Sequence, residues 1–300
     1  MFKKLLKFIL SKFFWGAGRH FLTDKQYAKI RYRLELGRSL NLENPQRFTE
    51  KIQYIKLYER TQFRKMISDR IKVREYVSEK VGNDYLIPLT GVYKKLTPNI
   101  WKTFPSQFVL KANHGCGMVE IVLNKAETDF NTIYKKTEVW KKIDYYQFSR
   151  AWVYKDLSKT LLVEKLLLNS NGDIPADYKF FCFHGRVEII QVDIGRFESQ
   201  KRNLYNRDFH LLDAELLYSN DPGKLKKPER LNEAIQVAES LSADINFIRI
   251  DLYLLDDHIY VGELTAYPGN GFIPFKPESL EQSLGGLITL NNESKSKQHP

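Results

Sequence analysis

Asp251 and Glu263 stand equidistant from residue 257, in a stretch where apolar residues recur on both sides of Asp256-Asp257-His258. A three-residue loop at 256–258 would join strands at 247–255 and 259–265 into a hairpin. The two carboxylates would then face each other on one side of the sheet, with Cβ atoms roughly 5 Å apart. Opposed carboxylates repel, so a sheet that keeps them there needs a cation between them. A hard divalent ion such as Mg²⁺ accepts this oxygen ligation alongside substrate phosphates. Thr265 shares the face and adds a hydroxyl, and Arg249 flanks the pair. A two-residue turn would break the opposition and leave scattered acids on a solvent-facing strand.

Lys111 precedes His114-Gly115-Cys116-Gly117, between alternating segments at 108–112 and 118–123 that form a second hairpin. Glycines at its tip let backbone N–H groups approach an anion, and a strand lysine supplies positive charge to a phosphate. A Gly-x-Gly tip is also an ordinary turn, and His114 reads equally as a packing histidine. Cys116 has no base partner in view and is expected to be inert. Asp177-Tyr178-Lys179 opens a further hairpin that turns at His184-Gly185, placing Lys179 on one face, where an edge charge is the usual reading. Glu164 and Lys165 interrupt the apolar strand that starts at Leu161; Glu164 is either polar for a purpose or a paired acid.

The elements that must hold these residues alternate between helices and hairpins. Residues 20–80 are mostly helical, broken near Asn44-Pro45, and a helix over 69–80 stops at Gly82. Prolines 88, 98 and 105 and Gly91 mark a loop-rich passage with short strands. Helices at 127–142 and 229–241 and a strand at 161–168 complete the order. This mixture predicts an α+β fold with antiparallel sheets rather than a doubly wound parallel one. The two cysteines, Cys116 and Cys182, are too few to staple a fold and too far apart for a zinc motif, so a reducing compartment is expected.

Charge is unevenly distributed. Residues 1–40 hold ten basic and two acidic side chains, so +8 of the chain's +11 lies there. In the opening stretch Phe2, Leu5, Leu6, Ile9 and Phe13 share one helical face, with Lys4, Lys7 and Lys12 across from it. That composition suits attachment of residues 1–15 to an anionic membrane surface, or docking of the helix on its own protein. Lys7 and Lys12 and the lack of a small-x-small site speak against a cleaved signal. Charge gathered in one amphipathic segment, not spread along a groove, disfavours a nucleic-acid partner.

Taken in order, these residues resemble the ATP-grasp superfamily, and within it the TupA-like branch of teichuronopeptide and surface-polysaccharide synthesis. The resemblance runs from about Pro45 to Pro274. It is carried by Phe48-Thr49-Glu50-Lys51-Ile52, Asp69 through Tyr76, Phe108 through Gly115, and Asp177-Tyr178-Lys179-Phe180-Phe181. Arg249-Ile250-Asp251-Leu252-Tyr253, Gly262-Glu263-Leu264-Thr265 and Pro268-Gly269 complete it. It implies two α+β domains that grasp ATP between antiparallel sheets. Lys111 would contact phosphate beneath the loop of His114, Gly115 and Gly117. Glu164, with the backbone of Lys165 and Leu166, would meet adenine. Lys179 would reach the phosphates and Arg249 the developing oxyanion, while Asp251 and Glu263 hold Mg²⁺. Arg70 occupies a slot that is often lysine in the family, and Thr265 that of a usual metal-binding asparagine.

The organisation expected on this basis is a basic helical N-terminal segment (1–44), an N-terminal helical and α+β part (45–105), a small subdomain with the glycine-rich loop (106–165), a C-terminal subdomain with the metal site (166–290) and a disordered tail (291–300). The implied activity is an ATP- and Mg²⁺-dependent carboxylate–amine ligase working through an acyl-phosphate. Its partners would be an acidic sugar or lipid-linked glycan and an amino acid or amine. A cytoplasmic enzyme, peripheral on the inner face of the bacterial cytoplasmic membrane, is expected. The rivals are a glycosyltransferase of surface-polysaccharide synthesis, for which the chain offers only Asp256-Asp257 as an acidic pair, and a non-catalytic scaffold.

Overall fold

Along β2 (Phe108–Ala112), Phe108, Leu110 and Ala112 are buried while Val109 and Lys111 stay half-buried. That period of two marks a strand with one face on a core and one face elsewhere. The structure, a computed structural model, describes residues 18–194, 201–221, 223 and 225–291. In it β2 lies between β3 (Val119–Val122) and β4 (Leu161–Lys165), and β4 pairs in turn with β1 (Leu89–Tyr93), giving an antiparallel sheet of order β1-β4-β2-β3. Its buried face packs against a helix, α6 (Phe130–Lys142), whose Ile133, Thr137 and Trp140 recur at helical spacing. Asp129 caps that helix through the N–H groups of Asn131 and Thr132.

The larger sheet follows the same logic. Its order is β10 (Ile259–Thr265), β9 (Phe247–Leu254), β5 (Asp177–Phe183), β6 (Arg186–Ile194) and β7 (Lys201–Tyr205), all antiparallel. One face is closed by α8 (Leu231–Ser242), which buries Leu231, Ala234, Ile235, Ala238 and Leu241. The other face is divided. Towards Phe183 and Phe247 it is covered by α2 (Phe48–Tyr58), whose Phe48 meets Phe247 and Phe275 edge-on at 5.0 and 5.2 Å. Towards Asp177 and Tyr253 it carries charged residues and opens on the small sheet.

The expected helices between residues 20 and 80 appear as α1 (Asp24–Leu36), α2, α3 (Gln62–Ile67) and α4 (Val73–Val81). Thr23 and Gln26 form a capping box at the start of α1, and Gly37 at φ +74 ends it. Short helices α5 (Pro98–Lys102) and α7 (Tyr145–Ser149), α9 (Glu278–Gly286) and a small ribbon of β8 (Glu215–Leu216) with β11 (Phe275–Lys276) complete the order. The α+β, antiparallel expectation therefore holds. The boundary drawn at residue 105 falls inside the small sheet, because β1 at 89–93 pairs with β4; α2 to α4 pack on the core of the large sheet. Strand β4 ends at Lys165, before the expected residue 168. The amphipathic segment 1–15 and tail residues 292–300 lie outside the described residues. Among the described residues, no helix is long and apolar enough to cross a membrane.

A buried glutamate fastens α9 to α2. Glu281 accepts hydrogen bonds from Thr49 N at 2.8 Å, Thr49 Oγ1 at 2.6 Å and Phe275 N at 2.9 Å. Glu281→Ala leaves these buried donors unpaired and should cost about 2–5 kcal/mol in a urea melt, with Glu281→Gln costing less. Burial raises the Glu281 pKa against the pull of the Thr49 and Phe275 donors. The folded state therefore keeps a proton that the unfolded chain loses above about pH 4, and stability should fall as pH rises through the raised value. Glu281→Gln should lessen that slope.

Candidate functional site

Register across the large sheet lays four polar residues in one row: Glu263 opposite Asp251, Asp251 opposite Lys179, and Lys179 opposite Gln191. The opposition of Asp251 and Glu263 is as expected, but it is reached differently. The loop between Leu254 and Ile259 has four residues, closed by Leu255 N donating to His258 O at 2.8 Å. That register would set Gly262 against Asp251. A β-bulge between Val261 and Glu263 then advances the pairing by one and brings Glu263 opposite. Gly262 suits the bulge because a Cβ there would lie 2.9 Å from Tyr253 Cε2 and 3.3 Å from Asp251 O.

The cation that opposed acids require is supplied, among the described residues, by side chains. Arg249 grips Asp251 through Nε and Nη2, both at 2.6 Å, a bidentate pairing. Its Nη2 also donates to Thr265 Oγ1 at 3.1 Å, and that hydroxyl donates to Glu263 Oε1 at 3.0 Å. Lys179 pairs with Asp177 and lies 3.3 Å from Asp193 and 3.9 Å from Asp251. Arg202 holds Asp193 at 2.6 Å. Burial pushes the Asp251 carboxyl up to about 6 against the pull of Arg249 and Lys179. Burial acts on Glu263 in the same sense but is outweighed by Arg70 and Arg249, so its carboxyl sits below the ordinary value. For Arg249, burial opposes the charge and Asp251 more than offsets it, raising its pKa.

The small sheet contributes the facing wall. Lys111 lies 2.6 Å from Glu164 Oε2, and Arg74, on α4, lies 3.4 Å from Glu164 Oε1, so Glu164 is a paired acid in a polar setting. Arg70 joins the two sheets. Its Nη1 donates to Ala112 O and Gly115 O, each at 2.8 Å, and its Nη2 reaches Glu263 at 3.5 Å. Its backbone N donates to Asn113 Oδ1 at 2.8 Å, while Asn113 Nδ2 donates to Asp69 at 3.1 Å. Asp69 also accepts from the N–H groups of Ile71 and Lys72, so regular helix begins at Val73, later than the expected residue 69. The planar guanidinium thus braces the base of the glycine-rich loop, a task that needs several directed donors.

These walls enclose a cleft of about 470 Å³, within the range of small-molecule sites. It is lined by Arg70, Lys111, Gly117, Glu164, Lys165, Leu166, Lys179, Arg249, Asp251 and Glu263, and by the apolar Val109, Ile121, Leu167 and Ile174. Three expected site residues stand elsewhere. His114 is buried in the small domain with Nε2 bonded to Trp140 O at 2.8 Å, and burial lowers its pKa. Gly115 lets Tyr145 and Met118 approach where a Cβ would clash. Thr265 lies at a neighbouring cavity, its hydroxyl engaged between Arg249 and Glu263. Asp256 and Asp257 are in the β9–β10 turn and do not line the cleft. Burial and Glu263 raise the Cys116 thiol pKa, as fits an inert cysteine. Sequence reasoning missed Arg74, Asp177 and Tyr253; alternation about Lys179 was a signal for Asp177, and none marked Arg74 as a partner of Glu164.

A family model described as TupA-like ATPgrasp matches residues 50–289. No curated protein matches the chain. Among solved structures, the chain is similar to D-alanine–D-alanine ligase from Bacillus anthracis complexed with ATP, at 12% identity and TM-score 0.43, over 74% of this chain and 63% of that one. It is also similar to an ADP complex of N5-carboxyaminoimidazole ribonucleotide synthetase, at 11% identity and TM-score 0.46, over 82% and 58% of the two chains. A third is the ligase PsnB complexed with a precursor variant, Mg and ADP, at 9% identity and TM-score 0.41, over 74% and 59%. The chain therefore spans less than two thirds of each of these three structures. Likeness of this degree carries no reaction to this chain.

Gly262→Ala tests the bulge that aligns the two acids. The new methyl must displace Tyr253, and a loss of about 1–3 kcal/mol is expected in a urea melt. A wild-type melt would show that the bulge tolerates a side chain.

Proposed function

The chain belongs to the TupA-like ATP-grasp family, and on that premise we propose that it is an ATP- and Mg²⁺-dependent ligase joining the carboxylate of an acidic surface-polysaccharide sugar to an amine. The observation that carries this reading is that Lys111 and Glu164 on one sheet, and Lys179, Arg249, Asp251 and Glu263 on the other, line a single cleft. Its chemistry fits a magnesium nucleotide. Val109, Ile121, Leu166 and Leu167 give the apolar lining a base requires, and Lys111 and Lys179 give the positive charge phosphates require. Asp251 and Glu263 give the hard oxygen donors that Mg²⁺ takes, with Thr265 holding Glu263 in place. ATP would supply activation of the acid as an acyl-phosphate, with release of ADP, and the amine would attack the acyl carbon and expel phosphate.

The protein's own residues act mainly by placing charge. Lys111 and Lys179 neutralise and orient phosphates, and Arg249, fixed bidentately, offers a rigid donor to a developing oxyanion without reorganising. Arg70 holds the glycine-rich loop against the site. Attachment of residues 1–15 to an anionic leaflet would raise the effective concentration of a lipid-linked acceptor.

An ADP-release screen pairing uronic acids with amino acids tests the reading, with UDP-sugars alongside; UDP release without ADP would transfer the case to a glycosyltransferase. Glu263→Gln should abolish Mg²⁺-dependent ADP formation while leaving the melt near wild type. Asp251→Asn should also abolish it, but at a cost in stability, because Arg249 and Lys179 lose a partner. Lys111→Ala should weaken ATP binding at least tenfold by calorimetry, and an unchanged affinity would remove Lys111 from the phosphate site.

A further inference from the structure

Lys179 and Arg249 also line a second cavity, of about 340 Å³, with Gln191, Asp193, Arg202 and Tyr218. Phe48, Phe181 and Leu217 supply apolar wall, and none of the lining residues belongs to the small sheet. The cavity is therefore built by the large-sheet side alone, unlike the cleft, which needs both sheets.

Three cations, Lys179, Arg202 and Arg249, line it with one acid, Asp193. Asp177 and Asp251 answer Lys179 and Arg249 from the cleft side, so its appeal to an anion rests on the donors left over rather than on net charge. Arg202 is 8% exposed. Its Nε donates to Asp193 at 2.6 Å and its Nη1 to Leu216 O at 3.0 Å, with the guanidinium 5.0 Å from the Tyr218 ring centroid. Its Nη2 has no hydrogen-bond partner among the described residues. Gln191 is 2% exposed, and its Nε2 donates to Asp193 at 3.0 Å, which orients the amide. Its Oε1 is buried without a hydrogen-bond partner. Buried carbonyls are seldom left so, and an unpaired acceptor lining a cavity calls for a donor from elsewhere.

A planar cationic donor and an unpaired acceptor in one small cavity complement a molecule with a carboxylate and, beside it, an N–H or O–H. We propose that this cavity binds a small carboxylic acid bearing an amine or hydroxyl next to its carboxylate, and so receives the second substrate of the ligase. The identity as second substrate rests on the ligase reading; the binding chemistry does not. Sharing Lys179 and Arg249 with the cleft places such an acid beside the groups assigned to the transferred phosphate.

The test uses the full chain and calorimetry with L-alanine, L-glutamate and L-lactate, against propionate, which lacks the donor, and alaninamide, which lacks the carboxylate. MgATP affinity is measured in the same samples. At least one of the three acids should bind at least tenfold more tightly than propionate and alaninamide. Amino acids binding where lactate does not would assign the donor to an amine, and the reverse to a hydroxyl. Arg202→Gln should weaken that acid at least tenfold and leave MgATP within twofold. Gln191→Met, nearly isosteric and uncharged, should remove the preference over propionate, and it decides the matter alone if Arg202→Gln fails to fold. Failure of all three acids to bind, or unchanged preference in Gln191→Met, overturns the proposal. Acid binding without any MgATP binding would uphold the cavity and sink the ligase reading.

Discussion

Charges placed on a largely buried sheet face must be balanced by their neighbours, because water is not there to do it. The charged members of the row meet that requirement through named neighbours: Glu263 through Thr265 and Arg70, Asp251 through Arg249, and Lys179 through Asp177 and Asp193. The Gln191 amide bonds Asp193 alone, while each of these three has at least two partners. This is why residues from distant segments converge: Arg70 precedes α4, Arg249 comes from β9 and Thr265 ends β10, yet all three serve the same two carboxylates.

The same balance links the two sheets. Hydrophobic packing holds each sheet to its own helix, α6 on the small one and α8 on the large one. Across the cleft itself, polar contacts take over: Arg70 to Glu263 on one side, and to Ala112 O and Gly115 O on the other. A seam carried by the hydrogen bonds of one arginine is easier to open than one made of interlocked apolar side chains. The 3.5 Å separation of Arg70 from Glu263 is the weakest part of it.

Much of this was legible in the sequence because alternation fixes which residues share a face. Phe108-Val109-Leu110-Lys111-Ala112 announces a half-buried strand with Lys111 on the exposed side, and Asp251 and Glu263 announce an opposed pair. The route to that pair was not legible. Turn length was inferred as three residues and is four, and the bulge that compensates was signalled only by a glycine within an alternating strand. His114 allowed two readings, a packing histidine or, by the resemblance, a loop residue over a phosphate, and it is held inside the small domain by Trp140 O, as the first has it. The partnership of Gln191, Asp193 and Arg202 depends on the register between β6 and β7, which no local pattern specifies. The membership of β1 in the small sheet is likewise a long-range pairing, with Tyr93 opposite Leu161.

The β9–β10 hairpin contains two irregularities that cancel. An even-length connection shifts the facing residues one way, and the extra residue at Gly262 shifts them back. The spacing of the two acids is thus the invariant of this hairpin: if Leu255 joined β9, leaving a three-residue connection, a straight β10 would return the same two acids to the same rung. Either change by itself would turn one acid away from its neighbour. A three-residue connection with a straight strand and a four-residue connection with a bulge are therefore two solutions to one spacing of the acids.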